Sequence, residues 1–503
     1  HMGYPYSWQH MDTWDGNWIT HFGVKVMASE PPAWKNSIHF LFGNGPFQVV
    51  EASGYGLGNR ETGEWEPLPG CVQRRTLCLL DLPDGRYYAV DLFHVEGGDD
   101  HWWTFHGLPG EFTMSAELPA QEAGTVAGKD VAYGQTPPDG VPKSLAYLYD
   151  VFRGQIEEPW SAHWLLDDAE GLQLRVTQLA TGSRELIKAR GRSPHAPAES
   201  PPYELDWLLS HNQRSERDVL RSDFVSLIET GTALPIEDAK LIRSGSVSGV
   251  RVGFDGGAHY VLRSEDGSSV AAVDDDISFQ GVAGFVEVDA GGVSRMALIG
   301  DGVLTCGDRG ITRGAGRWRG SIVAVCPAER AVTVQVSEST LSPGKGDYLY
   351  VRRRTGERID SFAYRITNVL EANGKLVRVW LNWSPVIGDG VVKEHTETGF
   401  RIQGQMPVSA ARAYYRGAYL VNHDRTLCTR LKNIRGGWST QEPVAHLERV
   451  DSSTLRAFPP GSAFTVEEIG VGDAVEVLGW VQCERQPDTT WRVESNGPAV
   501  TRF

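Results

Sequence analysis

The sequence predicts an all-β chain: an antiparallel β-sandwich followed by one or two smaller β-domains. Three observations carry that expectation. Nearly every segment is a short alternating run bounded by turn residues, with 57 Gly and 27 Pro in 503 residues. Helical periodicity is rare, confined to Leu145–Phe152 and Ser409–Tyr415. Glycine-marked turns recur at regular spacing, as in a meander.

The elements follow in order. Tyr87 to Val95 alternates and is rich in Tyr, Val, Phe and Leu, which suits a half-buried strand. Gly97-Gly98-Asp99-Asp100 is a hairpin turn signal, and His101 to His106 resumes as the second arm. Pro119–Pro142 and Ser193–Pro202 are polar, proline-bearing surface connections. Trp160–Val176 and Leu220–Gly231 are further strands. Val247–Cys306 has turns at Asp255-Gly256-Gly257, Glu265-Asp266-Gly267 and Ala290-Gly291-Gly292. Later strands are expected at Tyr348–Arg353, Leu376–Trp383, Phe400–Gln403 and Ala474–Cys483. Breaks near Gly231–Ile242 and Ser342–Gly346 divide the chain into 3–235, 236–345 and 346–503.

Composition narrows the function. Residues 1–240 hold 34 acidic and 18 basic side chains and residues 241–503 hold 30 of each, so the whole net charge of −16 lies in the first part. That balance argues against nucleic acid as a partner. No apolar run approaches the roughly 20 residues that span a bilayer, so no membrane partner is expected. The six cysteines form no C-x-x-C pair, which disfavours a thiolate zinc site. His1-Met2 reads as a cloning remnant, and no signal peptide is evident in the residues present. Gly54-Tyr55-Gly56-Leu57-Gly58 is read as a loop, because no helix follows to hold a phosphate. Arg352-Arg353-Arg354 is read as a solvated strand edge. Trp102, Trp103, Trp160, Trp164 and Trp207 are candidate core; Trp8, Trp14, Trp18 and Trp34 suit either sugar stacking or a covered core. His94, His101 and His106 are a possible metal or catalytic cluster, although scaffold hydrogen bonding is the favoured reading.

Two stretches carry a family resemblance. Arg86–Phe112, RYYAVDLFHVEGGDDHWWTFHGLPGEF, resembles the β-sandwich of heparinase II/III-like polysaccharide lyases, where a D-x-F-x-V-x-G-G strand precedes an F-H-G strand. Gly3–Val26 is similar to that family's segment in which a Trp is followed seven residues on by a His, here Trp14 and His21. Trp160–Val176 and Leu220–Gly231 look like later strands of the same sandwich, so the match covers roughly the first half of the chain.

The resemblance implies a sandwich of the polysaccharide-lyase type, cleavage of an acidic polysaccharide by β-elimination, and a periplasmic or secreted location. It also implies that a helical toroid upstream in the parent chain supplies most catalytic groups, so that this chain alone is inactive. Carried over by position, Tyr6 is the catalytic tyrosine, with Tyr4 the next choice. His21 falls on the zinc-ligand histidine. The family's other ligands should lie upstream of Gly3; His10 and Asp12 are the candidates to replace them. Phe22 stands where the family has Asn. The alternative is a non-catalytic β-sandwich module that binds carbohydrate or packs against a partner.

Overall fold

The computed structural model describes residues 18–27, 33–43, 45, 47–58, 67–167, 170–192, 204–214, 218–265, 267, 271–274, 276–314, 317–373, 375–404, 406, 413–436 and 442–503. The chain is all-β, built of antiparallel sheets. Sheet I has five strands, in the order Val24–Met27, Asp100–His106, Glu204–Gln213, Arg184–Arg192 and Leu148–Ile156. Sheet II has eight: Ala33–Phe42, Phe47–Leu57, Pro67–Asp81, Tyr87–Glu96, Arg221–Gly231, Gln173–Gln178, Trp160–Leu166 and Gly110–Met114. Phe93, Val95, Trp103, Phe105, Trp160, Trp164 and Phe224 fill the space between these two sheets.

Sheet II is covered on its other face as well. Val90, Leu92, Val225 and Leu227 pack against Val250, Val252, Val261 and Phe285 of sheet III. Sheet III runs Ile236–Ser244, Val247–Phe254, Gly257–Ser264, Ala283–Asp289, Gly292–Ile299, Trp480–Arg485 and Trp491–Ser495. Sheet IV, five strands from Ala271–Asp274 to Val500–Arg502, closes the stack through Phe279, Leu304 and Ile311 against Leu262, Met296 and Leu298. Four β-layers therefore lie face on face. The strand Tyr87–Glu96, expected to be half-buried, is buried on both sides from Val90 to Phe93. That is why it carries apolar residues at consecutive positions rather than strict alternation.

Two closed six-stranded barrels complete the chain. One combines five strands between Trp318 and Leu381 with Ala474–Val477; the other is formed within Val386–Glu467. Residues 346–503 thus contribute to both barrels and to sheets III and IV. The expected strand Ala474–Cys483 is two strands in different sheets, broken at Leu478-Gly479. Only glycine fits that corner, because a Cβ at Gly479 would lie 1.9 Å from Arg313 Nη2.

Other expectations need correction. Tyr87–Glu96 and Asp100–His106 are not a hairpin: the first pairs in sheet II and the second in sheet I. Gly97 and Gly98, at φ 88° and 82°, turn the chain from one layer to the next. A Cβ at Gly97 would sit 2.4 Å from Gly70 O. Leu145–Phe152 is a 3-10 turn, Lys143–Tyr147, running into the strand Leu148–Ile156, because the strand pairing with Arg184–Arg192 outweighs weak helical spacing. An α-helix does occur at Ser452–Ala457, where Asp451 caps the nitrogens of Ser453 and Thr454. The connection after Pro119 is not wholly superficial: Val126, beside Leu145, covers Trp102 and Trp207 on the outer face of sheet I. Ser193–Pro202 lies outside the described residues. Among the described residues no helix is long and apolar enough to cross a membrane.

Candidate functional site

Tyr4, Tyr6, His10 and Asp12, with Trp8 and Trp14, lie outside the described residues; His21 is described. It follows the 3-10 turn Trp18–Thr20, exposed, with its backbone nitrogen donating to Trp18 O at 3.2 Å. The next residue anchors it. The Phe22 ring stacks on Phe105, centroids 4.6 Å apart, and tilts against His106 at 4.9 Å. Arg75 Nη1 donates to Phe22 O at 2.8 Å while a bidentate pair to Asp91, 2.8 Å on each arm, fixes the guanidinium. Thr104 finishes the attachment: its Oγ1 donates to Ile19 O at 2.8 Å and its nitrogen to Gly23 O at 3.2 Å. Phe22 is therefore a residue that docks the segment.

No group of three His, Cys, Asp or Glu poised for a metal occurs among the described residues. Of the proposed zinc ligands only His21 is placed, and a zinc site needs three protein ligands. The histidine trio is dispersed. His94 sits in sheet II, its Nδ1 2.7 Å from Asp223 Oδ1, a hydrogen bond that raises the imidazole above its ordinary value. His101 donates from Nε2 to Gly97 O at 2.7 Å and lies 2.8 Å from Ser222 Oγ; burial lowers the imidazole below its ordinary value. His106 donates from Nδ1 to Gly107 O at 2.9 Å and packs on Trp207. Of the three, only His101 braces the corner at Gly97.

A densely ionic site that sequence reasoning missed joins sheet II to both barrels. Asp360, fully buried, accepts from Tyr55 Oη at 3.0 Å, Thr355 Oγ1 at 2.9 Å and Arg353 Nη2 at 3.0 Å. Lys35, 8% exposed, donates to Tyr414 O at 3.1 Å, and Tyr364 Oη donates to Glu468 Oε2 at 2.6 Å. Burial lowers Lys35 to about 8 despite the attraction of Asp360. Burial alone would raise the Asp360 carboxyl, but Lys35 and Arg353 outweigh it and hold it below its ordinary value. Two sequence readings are corrected here. Arg353 is buried and paired, not a solvated edge, and Tyr55 lies in the strand Phe47–Leu57, not in a loop. Tyr55 had no local signal, since Asp360 lies 305 positions away, whereas Arg353 pairs with Asp360 only seven positions on, across its own hairpin.

In comparisons with known proteins, no family model and no curated sequence matches the chain.

Proposed function

We propose that the chain is the β-sandwich portion of a heparinase II/III-like polysaccharide lyase acting on a uronic-acid-containing polysaccharide. One observation carries the reading. The two stretches on which the resemblance rests, Trp14 to His21 and Phe105-His106-Gly107, are separated by more than 80 positions. The end of the first nevertheless docks on the second, through Phe22 on Phe105 and His106.

In this reading a base on the upstream helical domain removes the proton on the ring carbon beside the uronate carboxylate. The electron pair becomes a ring double bond, the bond to the leaving glycosidic oxygen breaks, and the Tyr6 phenol protonates that oxygen. Tyr4 is the alternative donor. His21, with His10 and Asp12, would hold zinc, whose charge would fix the segment that carries the tyrosines. A periplasmic or secreted site of action belongs to the same reading.

The test is made on the full-length protein containing this chain. It should generate ultraviolet-absorbing unsaturated uronides, whereas the chain alone should not. Tyr6→Phe should lower turnover by roughly 10²-fold or more. His21→Ala should lose the zinc that elemental analysis finds in the unsubstituted protein. Full turnover by the isolated chain, or unchanged zinc in His21→Ala, would defeat the reading.

A further inference from the structure

Strands of sheet II that fix Phe22 with one face present charged side chains on the other. Arg75 points toward sheet I; its neighbour Arg74 points toward sheet III. Arg74, His94 and Asp223 form a row across three paired strands. Opposite them stand Arg243, Arg263 and Glu265 of sheet III. Together these six line a cleft of about 220 Å³. At roughly 30 Å³ per water, it has room for about seven waters, the scale of one sugar unit.

Two carboxylates there are each shared between two cationic side chains. Glu51 serves two guanidiniums, Arg74 at 2.7 Å and Arg263 at 2.6 Å. Asp223 likewise serves both Arg243 at 2.6 Å and His94 at 2.7 Å. Glu265 reaches Arg263 only at 3.4 Å. The decisive group is Arg263. It is 5% exposed, yet its Nη2 has no hydrogen-bond partner among the described residues. Buried guanidinium nitrogens are rarely left unpaired, because the charge is desolvated with no return. Arg263 lines the cleft, and a guanidinium with one nitrogen unpaired retains a donor for an anionic oxygen.

We propose that this cleft is an anion-binding subsite that takes the carboxylate of one uronic acid unit, with Arg263 as the buried donor and Arg243 and Arg74 flanking it. That a sugar carries the anion rests on the acidic-polysaccharide reading; that the cleft binds an anion does not.

The test is calorimetric titration of this chain at fixed ionic strength with sodium glucuronate, sodium sulfate and glucose. Glucuronate should bind saturably and glucose should not. Arg243→Gln, at a half-exposed position outside the Phe22 attachment, should weaken glucuronate at least tenfold. Arg456→Gln, on the exposed face of the short helix Ser452–Ala457 at the second barrel, should change nothing. Arg263→Gln should abolish binding; if it does not fold, Arg243→Gln decides alone. Sulfate binding with no glucuronate binding would keep the anion site and overturn the sugar. No saturable binding of either anion, or equal binding in Arg243→Gln and Arg456→Gln, would overturn the site. Because no turnover is read, these results stand apart from success or failure of the lyase reading.

Discussion

Asp360→Ala is the sharpest probe of how the layers and barrels are held together. The substitution removes one carboxylate that accepts from Tyr55, Thr355 and Arg353. It leaves Arg353, 1% exposed, and Lys35, 8% exposed, without their nearest counter-charge. Truncating one member of a buried pair costs about 3–5 kcal/mol, against about 0–1 kcal/mol for an exposed pair. At about 1.4 kcal/mol per factor of ten, that is a 10²- to 10³-fold or greater fall in local protection. Unfolding of several units is not two-state, so the assay should be local. Native-state hydrogen exchange at Ala33–Phe42 and Arg358–Asn373 reads both sides of the junction. Asp360→Asn keeps the shape and one acceptor and should recover part of the loss. A change below about 1 kcal/mol in Asp360→Ala would refute the claim that this junction depends on a desolvated charge.

Lys35 gives a pH test. Its native value near 8 lies below that of the unfolded chain, so the unfolded state holds a proton that the native state gives up, and stability should rise between pH 8 and 10. The stability difference between wild type and Lys35→Met should follow that rise, by at most about 3 kcal/mol at 1.36 kcal/mol per pH unit, and a flat difference would refute it. Gly97→Ala should cost more than the about 1–2 kcal/mol of a left-handed alanine, because its Cβ also meets Gly70 O at 2.4 Å; a melting curve unchanged from wild type would contradict the corner. Phe22→Ala should speed exchange at 18–23 while leaving Tyr87–Glu96 unaffected, by mass spectrometry of exchanged peptides. All six cysteines are free thiols, and only Cys428 is exposed. It should label first with a thiol reagent, yet more slowly than a small-molecule thiol, since burial of its sulfur pushes it up to about 11.

Strand positions were legible because alternation and turn chemistry are local. The turns at Asp255-Gly256 and Ala290-Gly291 fall where the glycines stand. Trp103, Trp160 and Trp164 are in the sandwich core as their neighbours suggested, while Trp102 and Trp207 face the other way, under the long connection. Strand partnership was not legible. Gly97-Gly98 reads as a hairpin turn whether the next strand folds back or changes layer, and only the distant pairing with Glu204–Gln213 decides. Cys71 and Cys78 illustrate the same limit: they share the strand Pro67–Asp81 but project to opposite faces, so no pairing was open to them. His21 is a candidate through the resemblance alone. Arg263 was invisible, because its meaning comes from Glu51, 212 positions away.

The return of Trp480–Arg485 to sheet III imposes an order of assembly on the ribosome. Gly292–Ile299 bonds to that strand, yet both barrels are translated between them. At about 5–20 residues per second, the interval is on the order of 10–40 s. Throughout it, Gly292–Ile299 is a naked edge, with Met296 and Leu298 short of their later neighbours Val481 and Cys483. The barrels emerge while that edge is open. A nascent chain stalled before residue 480 should therefore be a chaperone client.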